Sequence, residues 1–352
     1  METSHGYTAI PSPELAALLD RALPEIAAEI EAAAPPKLRA VVLGGGYGRG
    51  EGGVRHTAQG DRLYNDLDFF VFSSGADRAA AGRIDAELKK IAANWEKKLG
   101  IAVDFGPAKN LNSLKGVAKT LMYQELLRGW LPVWGRVELE QWLPALEPEA
   151  LPFTEAARLL LNRGMGLVFA GEYLREGRND PDFIVRNMNK AVLGAGDALL
   201  IADGRYRWRG AERVEEFAAY VRREKVPAEY AECYETAFRR KLEPDPVLPA
   251  RPPAEWRRCR GFFLDAVQRV AGADNTASPH DIAAGLSRRA KRERSLKNLL
   301  RWGRRTGLLR SPFAAFDAPV VTLLGRLYGE LAAADRAPVC APELRRLWEF
   351  FN

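Results

Sequence analysis

Cysteine and histidine are both scarce. Cys233, Cys259 and Cys340 are the only cysteines among 352 residues. Their odd number and wide spacing argue against a disulfide framework or a cysteine-based zinc site. His5, His56 and His280 are equally scattered, which argues against a histidine-rich metal centre. Long apolar runs are missing too: none approaches the roughly 18–20 residues that span a bilayer, so no membrane partner is expected. Met1 to Tyr7 holds neither a basic nor an apolar stretch. No signal peptide is therefore expected, and the cytoplasm is the expected compartment. Acidic residues number 46 against 52 lysines and arginines, a formal net charge of +6. That surplus is compatible with a polyanionic partner but modest for a dedicated RNA binder of this size. What is present is ordinary globular composition, 47% hydrophobic and 28% charged, which excludes disorder as the main state. At roughly 100–200 residues per domain, the length calls for two domains.

The two halves differ in texture. Ser12 before Pro13 reads as an N-cap with proline in the first turn, and Leu15, Leu19, Leu23, Ile26 and Ile30 follow at helical spacing to about Ala33. The apolar runs Ala40 to Leu43, Leu67 to Phe72, Ile101 to Phe105 and Leu131 to Trp134 have strand length. Ala76 to Leu99 carries a helical stripe ending at a Gly100 C-cap, and Leu114 to Arg128 also reads as helix. From about Leu151 the strand-like runs stop. Helical stretches over 154–171, 183–202, 211–223, 228–240, 254–272, 279–303 and 312–334 take over, with a short helix ending near Phe351. Pro244 to Pro253 reads as a linker or exposed loop. The expected layout is an α/β domain over residues 1–150 and an all-α domain over 151–352.

The stretch that carries chemistry begins where the first strand meets Gly44 to Gly53, seven glycines in ten residues. Glycine lets the backbone approach a ligand closely, and its exposed amides can form an anion-binding nest. The next strand opens with Asp66 and Asp68, two residues apart and therefore on one side of the strand. Two acids on one face repel unless a cation lies between them, and magnesium accepts one or two carboxylates alongside phosphate oxygens. Asp104 in the third strand adds another acid inside an apolar run. The ordinary alternative is a turn residue plus exposed strand acids. Gly48, Gly50 and Gly53 match the dinucleotide-binding spacing by letter. However, Glu51 to Asn65 is too polar and glycine-broken for the helix that pattern requires. Glu51 after Gly50 excludes a P-loop.

Gly45-Gly46-Tyr47-Gly48-Arg49-Gly50, then Asn65-Asp66-Leu67-Asp68, then Asp104, resembles the DNA polymerase β-type nucleotidyltransferase superfamily, in its minimal and aminoglycoside-type forms. Glu125 to Gly135 is similar to the strand that follows the third acid there. The resemblance covers about Ala40 to Gly135. Two departures stand out: Gly46 replaces the usual serine, and the loop before Asp66 is longer than in minimal members.

The resemblance implies an α/β (α+β) nucleotidyltransferase domain with a mixed sheet, followed by the helical domain as a substrate-binding or accessory part. It implies Mg²⁺-dependent transfer of a nucleoside monophosphate from an NTP, ATP being the expected one, to a hydroxyl, with release of pyrophosphate. Asp66, Asp68 and Asp104 would be the catalytic, metal-binding residues, sharing two Mg²⁺ ions. Gly45, Gly46, Arg49 and Lys190 would bind the nucleotide. For Arg49 the competing reading is a local ion pair with Glu51. For Lys190, and for Arg163 and Arg186 beside it, the competing reading is a solvated helix face. The acceptor is expected to be a small molecule or a protein rather than RNA.

Ser287 to Arg310 holds ten lysines and arginines against one glutamate, interleaved with leucines and Trp302. It reads either as a phosphate-binding helix or as an amphipathic helix with a solvated basic face. Two alternatives to the main reading therefore stand. One is an RNA-end nucleotidyltransferase; the other is a non-catalytic nucleotide-binding or sensing module of the same fold.

Overall fold

The computed structural model describes residues 6–245, 247–274, 276–307, 316–334 and 341–351. The chain divides into two compact units: Met1–Glu147 with Arg239–Asp245, and Pro148–Phe238 with Pro246–Asn352.

The first unit begins with α1 (Pro13–Ala33), β1 (Leu38–Leu43), the single turn α2 (Gly45–Gly48), β2 (Val54–Thr57), β3 (Gly60–Leu63) and β4 (Leu67–Ser73). It continues with α3 (Arg78–Leu99), β5 (Val103–Phe105), β6 (Lys109–Asn110), a 3-10 turn over Leu111–Gly116, α4 (Leu121–Leu127) and β7 (Leu131–Gly135). The caps follow from side-chain chemistry. Ser12 Oγ accepts the Leu15 amide, Asp77 accepts the Ala80 amide, and Gly100 closes α3 at φ 70°.

The main sheet has the order β5-β4-β1-β7, with β6 also paired to β4. β1 runs antiparallel to β4 and β7, and β4 runs parallel to β5 and β6, so the sheet is mixed. Alternation along the strands splits the core in two. Val41, Leu43, Leu67, Phe69, Val71 and Val103 pack with the apolar stripes of α1 and α3. Ala40, Val42 and Phe72 pack on the other face with Leu111, Leu114, Tyr123 and Leu126.

Two elements differ from the sequence expectation. The glycine-broken stretch after the turn is a hairpin, β2 paired with β3, because Arg55, His56, Asp61 and Arg62 need only one buried side. The helix expected over 114–128 is instead the 3-10 turn followed by α4. Gln124 holds this break: its amide nitrogen donates to Ala118 O at 2.6 Å and Pro144 O at 2.9 Å.

The second unit is helical: α5 (Phe153–Glu176), α6 (Pro181–Ala202), α7 (Gly210–Arg223), α8 (Glu229–Leu242), α9 (Pro252–Ala271), α10 (Pro279–Arg289), α11 (Leu296–Thr306), α12 (Pro319–Ala332) and α13 (Pro342–Phe351). The last residues of α8 belong to the first unit. Small residues let the helices meet closely. A Cβ at Gly164 would lie 2.5–2.6 Å from Phe263 and Leu327, and one at Gly171 2.7 Å from the Trp256 ring. The single helix expected over 279–303 is two. A 3-10 turn at Lys291–Glu293 separates them, where Glu293 accepts from Thr154 and Ser295 caps α11. Pro252 and Pro253 of the proline-rich stretch open α9. Residues 308–315, which take in the end of the basic segment and the start of the expected 312–334 helix, lie outside the described residues. Among the described residues no helix is long and apolar enough to cross a membrane.

Candidate active site

The first strand delivers its glycine turn directly onto the second acid. The Gly44 amide donates to Asp68 O at 2.8 Å, so the turn starts where the ladder with β4 ends. Gly45 then takes φ +61°, and a Cβ there would collide with the Asp68 carboxylate. Only glycine satisfies both constraints. The amides of Gly45, Gly46 and Tyr47 open the short turn α2, and the first amides of a helical turn have no acceptor within it. Gly46 is different: a Cβ there would meet Glu51 O at 3.4 Å and Gly52 Cα at 3.5 Å, which is ordinary contact. A serine fits this position, where the resembled family carries one.

Asp68 and Asp104 are register partners on the parallel strands β4 and β5. Val103 packs in the α1–α3 core, and so does Leu67 of β4, so Asp104 and Asp68 share the opposite face. Asp66 lies just before β4. Asp66 and Asp68 are half-buried, and Asp104 is exposed. Among the described residues no group of three or more His, Cys, Asp or Glu is arranged to hold a metal ion. The donor set is nevertheless hard oxygen throughout. Two carboxylates at adjacent register suit a magnesium ion that brings phosphate oxygens and water with it, rather than an all-protein cage.

The two expected basic contacts belong to different units. Arg49 pairs with Glu125 at 3.3 Å and Glu51 at 3.8 Å, and Lys241 joins Glu51 at 3.7 Å. These mostly buried side chains alternate in sign and tie the glycine turn to α4 and to the end of α8. Arg49 Nε is buried without a hydrogen-bond partner within this cluster. Lys190 lies half-buried on α6, in the other unit. Of its companions, Arg186 pairs with Asp182 at 2.7 Å, and the Arg163 stem packs on Gly194.

Tyr47 was not singled out from the sequence, yet it is the anchor of the turn. It is 1% exposed; its hydroxyl donates to Gly53 O at 2.8 Å and accepts the Tyr64 amide at 2.9 Å. Asn65 Oδ1 accepts the Gly53 amide at 2.6 Å. Burial pushes the Tyr47 hydroxyl up to about 12. The facing amides of Tyr64 and Asn65 act in the opposite direction, and the nearby Asp66 charge adds to the rise. The available signal was one bulky aromatic in a run of glycines: such a side chain needs a buried pocket.

The basic segment is partly used inside its own unit. Arg294 pairs with the buried Asp317 at 2.5 Å, and Arg289 donates to Ala202 O at 3.0 Å. Arg301 and Arg305 lie over the rings of Phe351 and Phe350. Arg288, Lys291 and Arg292 are exposed, and the break after Arg289 removes the single helical face that 3- and 4-residue spacing implied.

Compared with protein-family models, curated proteins and solved structures, the chain matches none at a significant level.

Proposed function

We propose that the first unit is a nucleotidyltransferase that moves a nucleoside monophosphate from a Mg²⁺-bound NTP, ATP in the first instance, to a hydroxyl acceptor. The observation that carries this reading is the contact of Gly45 with Asp68, which sets a glycine turn against an acid whose register partner is Asp104. The amides at the start of α2 would hold the β and γ phosphates. Asp66, Asp68 and Asp104 would hold magnesium. When bound, it neutralises phosphate charge and lowers the pKa of the acceptor hydroxyl. Asp104, the exposed acid, would take the proton as the acceptor oxygen bonds to the α phosphorus; the bond to the bridging oxygen breaks and pyrophosphate leaves. The acceptor is a small molecule or a protein, and the helical unit is the part that would recognise it.

The test is a pyrophosphate-release screen with ATP, GTP, CTP and UTP against pooled small molecules, proteins and RNA ends. Release that depends on Mg²⁺, on an acceptor and on Asp68 supports the reading; no release with any pair sinks it. The pairing of Arg49 with Glu51 and Glu125 favours a second reading, a nucleotide-binding module without turnover. Nucleotide binding with no pyrophosphate release would select it.

A further inference from the structure

We propose that Tyr47 is a positioning residue that holds Asp66 at the glycine turn, an inference that rests on the nucleotidyltransferase reading. The two acids of the Asp66–Asp68 pair are held by different means. Asp68 lies inside β4: its carbonyl accepts the Gly44 amide at 2.8 Å, Leu67 beside it donates to Ala102 O at 3.0 Å, and its register partner is Asp104. The sheet fixes it. Asp66 precedes the strand, so no ladder pairing fixes its backbone.

The residues just before it are held instead by a clasp on the turn. The Tyr64 amide reaches the Tyr47 hydroxyl at 2.9 Å, that hydroxyl reaches Gly53 O at 2.8 Å, and Asn65 Oδ1 takes the Gly53 amide at 2.6 Å. Two of these bonds close both ends of the β2–β3 excursion onto one buried phenol, and the third joins the two ends directly. Gly52 leaves room for the ring, since a Cβ there would overlap it. Tyr47 is almost wholly out of solvent, so water does not replace its bonds. The hairpin is thereby a closed side loop, and Asp66 stays at a set distance from Gly45 and Asp68 despite its length.

Tyr47→Phe keeps the ring and its packing but removes the hydroxyl, and with it the bonds to Gly53 O and from the Tyr64 amide. Two probes read the result: α,β-methylene ATP with Mg²⁺ by calorimetry, and Mn²⁺ titration by electron paramagnetic resonance at saturating analogue. In Tyr47→Phe the Mn²⁺ concentration for half-saturation should rise by about tenfold, of the order of the net worth of the two buried hydrogen bonds lost. Amide exchange over residues 64–66 should quicken while that of β4 does not change. A merely structural tyrosine would lower the thermal midpoint and leave the Mn²⁺ requirement where it was; that result overturns the proposal and leaves the proposed function standing. Wild-type protein that binds neither the analogue nor Mn²⁺ overturns the proposed function, and this inference with it. Should Tyr47→Phe not fold, Asn65→Ala removes one clasp bond and leaves the phenol in place. It should shift the Mn²⁺ requirement in the same direction, and an unchanged requirement overturns the proposal.

Discussion

Glycine does two different jobs in the two units. In the first it shapes backbone: Gly45 takes a left-handed conformation against the Asp68 carboxylate, so a chain turn and an acid occupy nearly the same space. In the second it removes side chains. Gly164 and Gly171 of α5 have helical backbone that any residue can adopt, and their value is the absent Cβ, which admits Phe263, Leu327 and the Trp256 ring. A glycine at a candidate site is therefore constrained by conformation, and a glycine in a helix seam by volume. The same alanine substitution should damage binding in the first unit and packing in the second.

Asp68→Ala should break the first unit's chemistry without breaking its fold. Turnover should fall by at least about 100-fold, since weakening even the partners of metal ligands costs 10–100-fold. The thermal midpoint should hold or rise, because repulsion from Asp66 and Asp104 is relieved. Pyrophosphate release and calorimetry check both. Gly164→Val should do the reverse. Overpacking a fitted core costs about 1–3 kcal/mol, so the helical unit's transition should move down while nucleotide-analogue affinity holds.

Within the turn itself, Gly45→Ala and Gly46→Ala sharpen the contrast. A left-handed alanine costs about 1–2 kcal/mol before its clash with Asp68 is counted. Gly45→Ala should thus lose analogue binding by about tenfold or more, while Gly46→Ala binds within about twofold of wild type. Equal affinities in the two variants would remove the Gly45–Asp68 contact from the site.

Alkaline pH probes both units at once. Burial raises Tyr47 and Tyr123 in the first unit, and Tyr220 and Tyr230 in the second, each to about 12. A folded-state pKa above the unfolded value of about 10 favours the protonated phenol in the native state. That stability is whole below pH 10 and is lost as pH rises from 10 through 12. Denaturant titrations at pH 9 and 11 should show a fall of about 1 kcal/mol for the well-buried Tyr47, abolished in Tyr47→Phe. The smallest effect is expected from replacing Arg288, Lys291 and Arg292 with serine. Stability should stay within about 0.5 kcal/mol, as for surface substitutions generally. Kinetics with a small acceptor should not change; a raised KM for an RNA acceptor, steepened by salt, would instead mark a nucleic-acid surface.

Local signals carried much of the secondary structure. Ser12, Asp77 and Gly100 cap their helices because capping needs only a side chain or a glycine next to the helix end. The strand beginning at Leu67 was legible for the same reason, but Asp66 falls just before it, so strand alternation fixes the face of Asp68 alone. The breaks were not legible, because distant partners make them. Gln124 reaches Ala118 and Pro144, and Glu293 reaches Thr154, 139 residues away in sequence.

The same division runs through the candidate site. By itself the sequence determined that a glycine turn follows β1, that an acid stands in β4 with another just before it, and that a third acid stands in an apolar strand. Each of these depends on neighbours within a few residues. Only the tertiary structure decided that Asp104 sits in register with Asp68, that Arg49 is occupied by Glu51 and Glu125, and that Lys241 from the end of α8 completes this cluster. It also decided that Tyr47 closes the hairpin onto the turn. The physical reason is range: strand register, ion pairs between separate elements and a buried phenol's partners depend on which segments pack together, and residue spacing does not encode that.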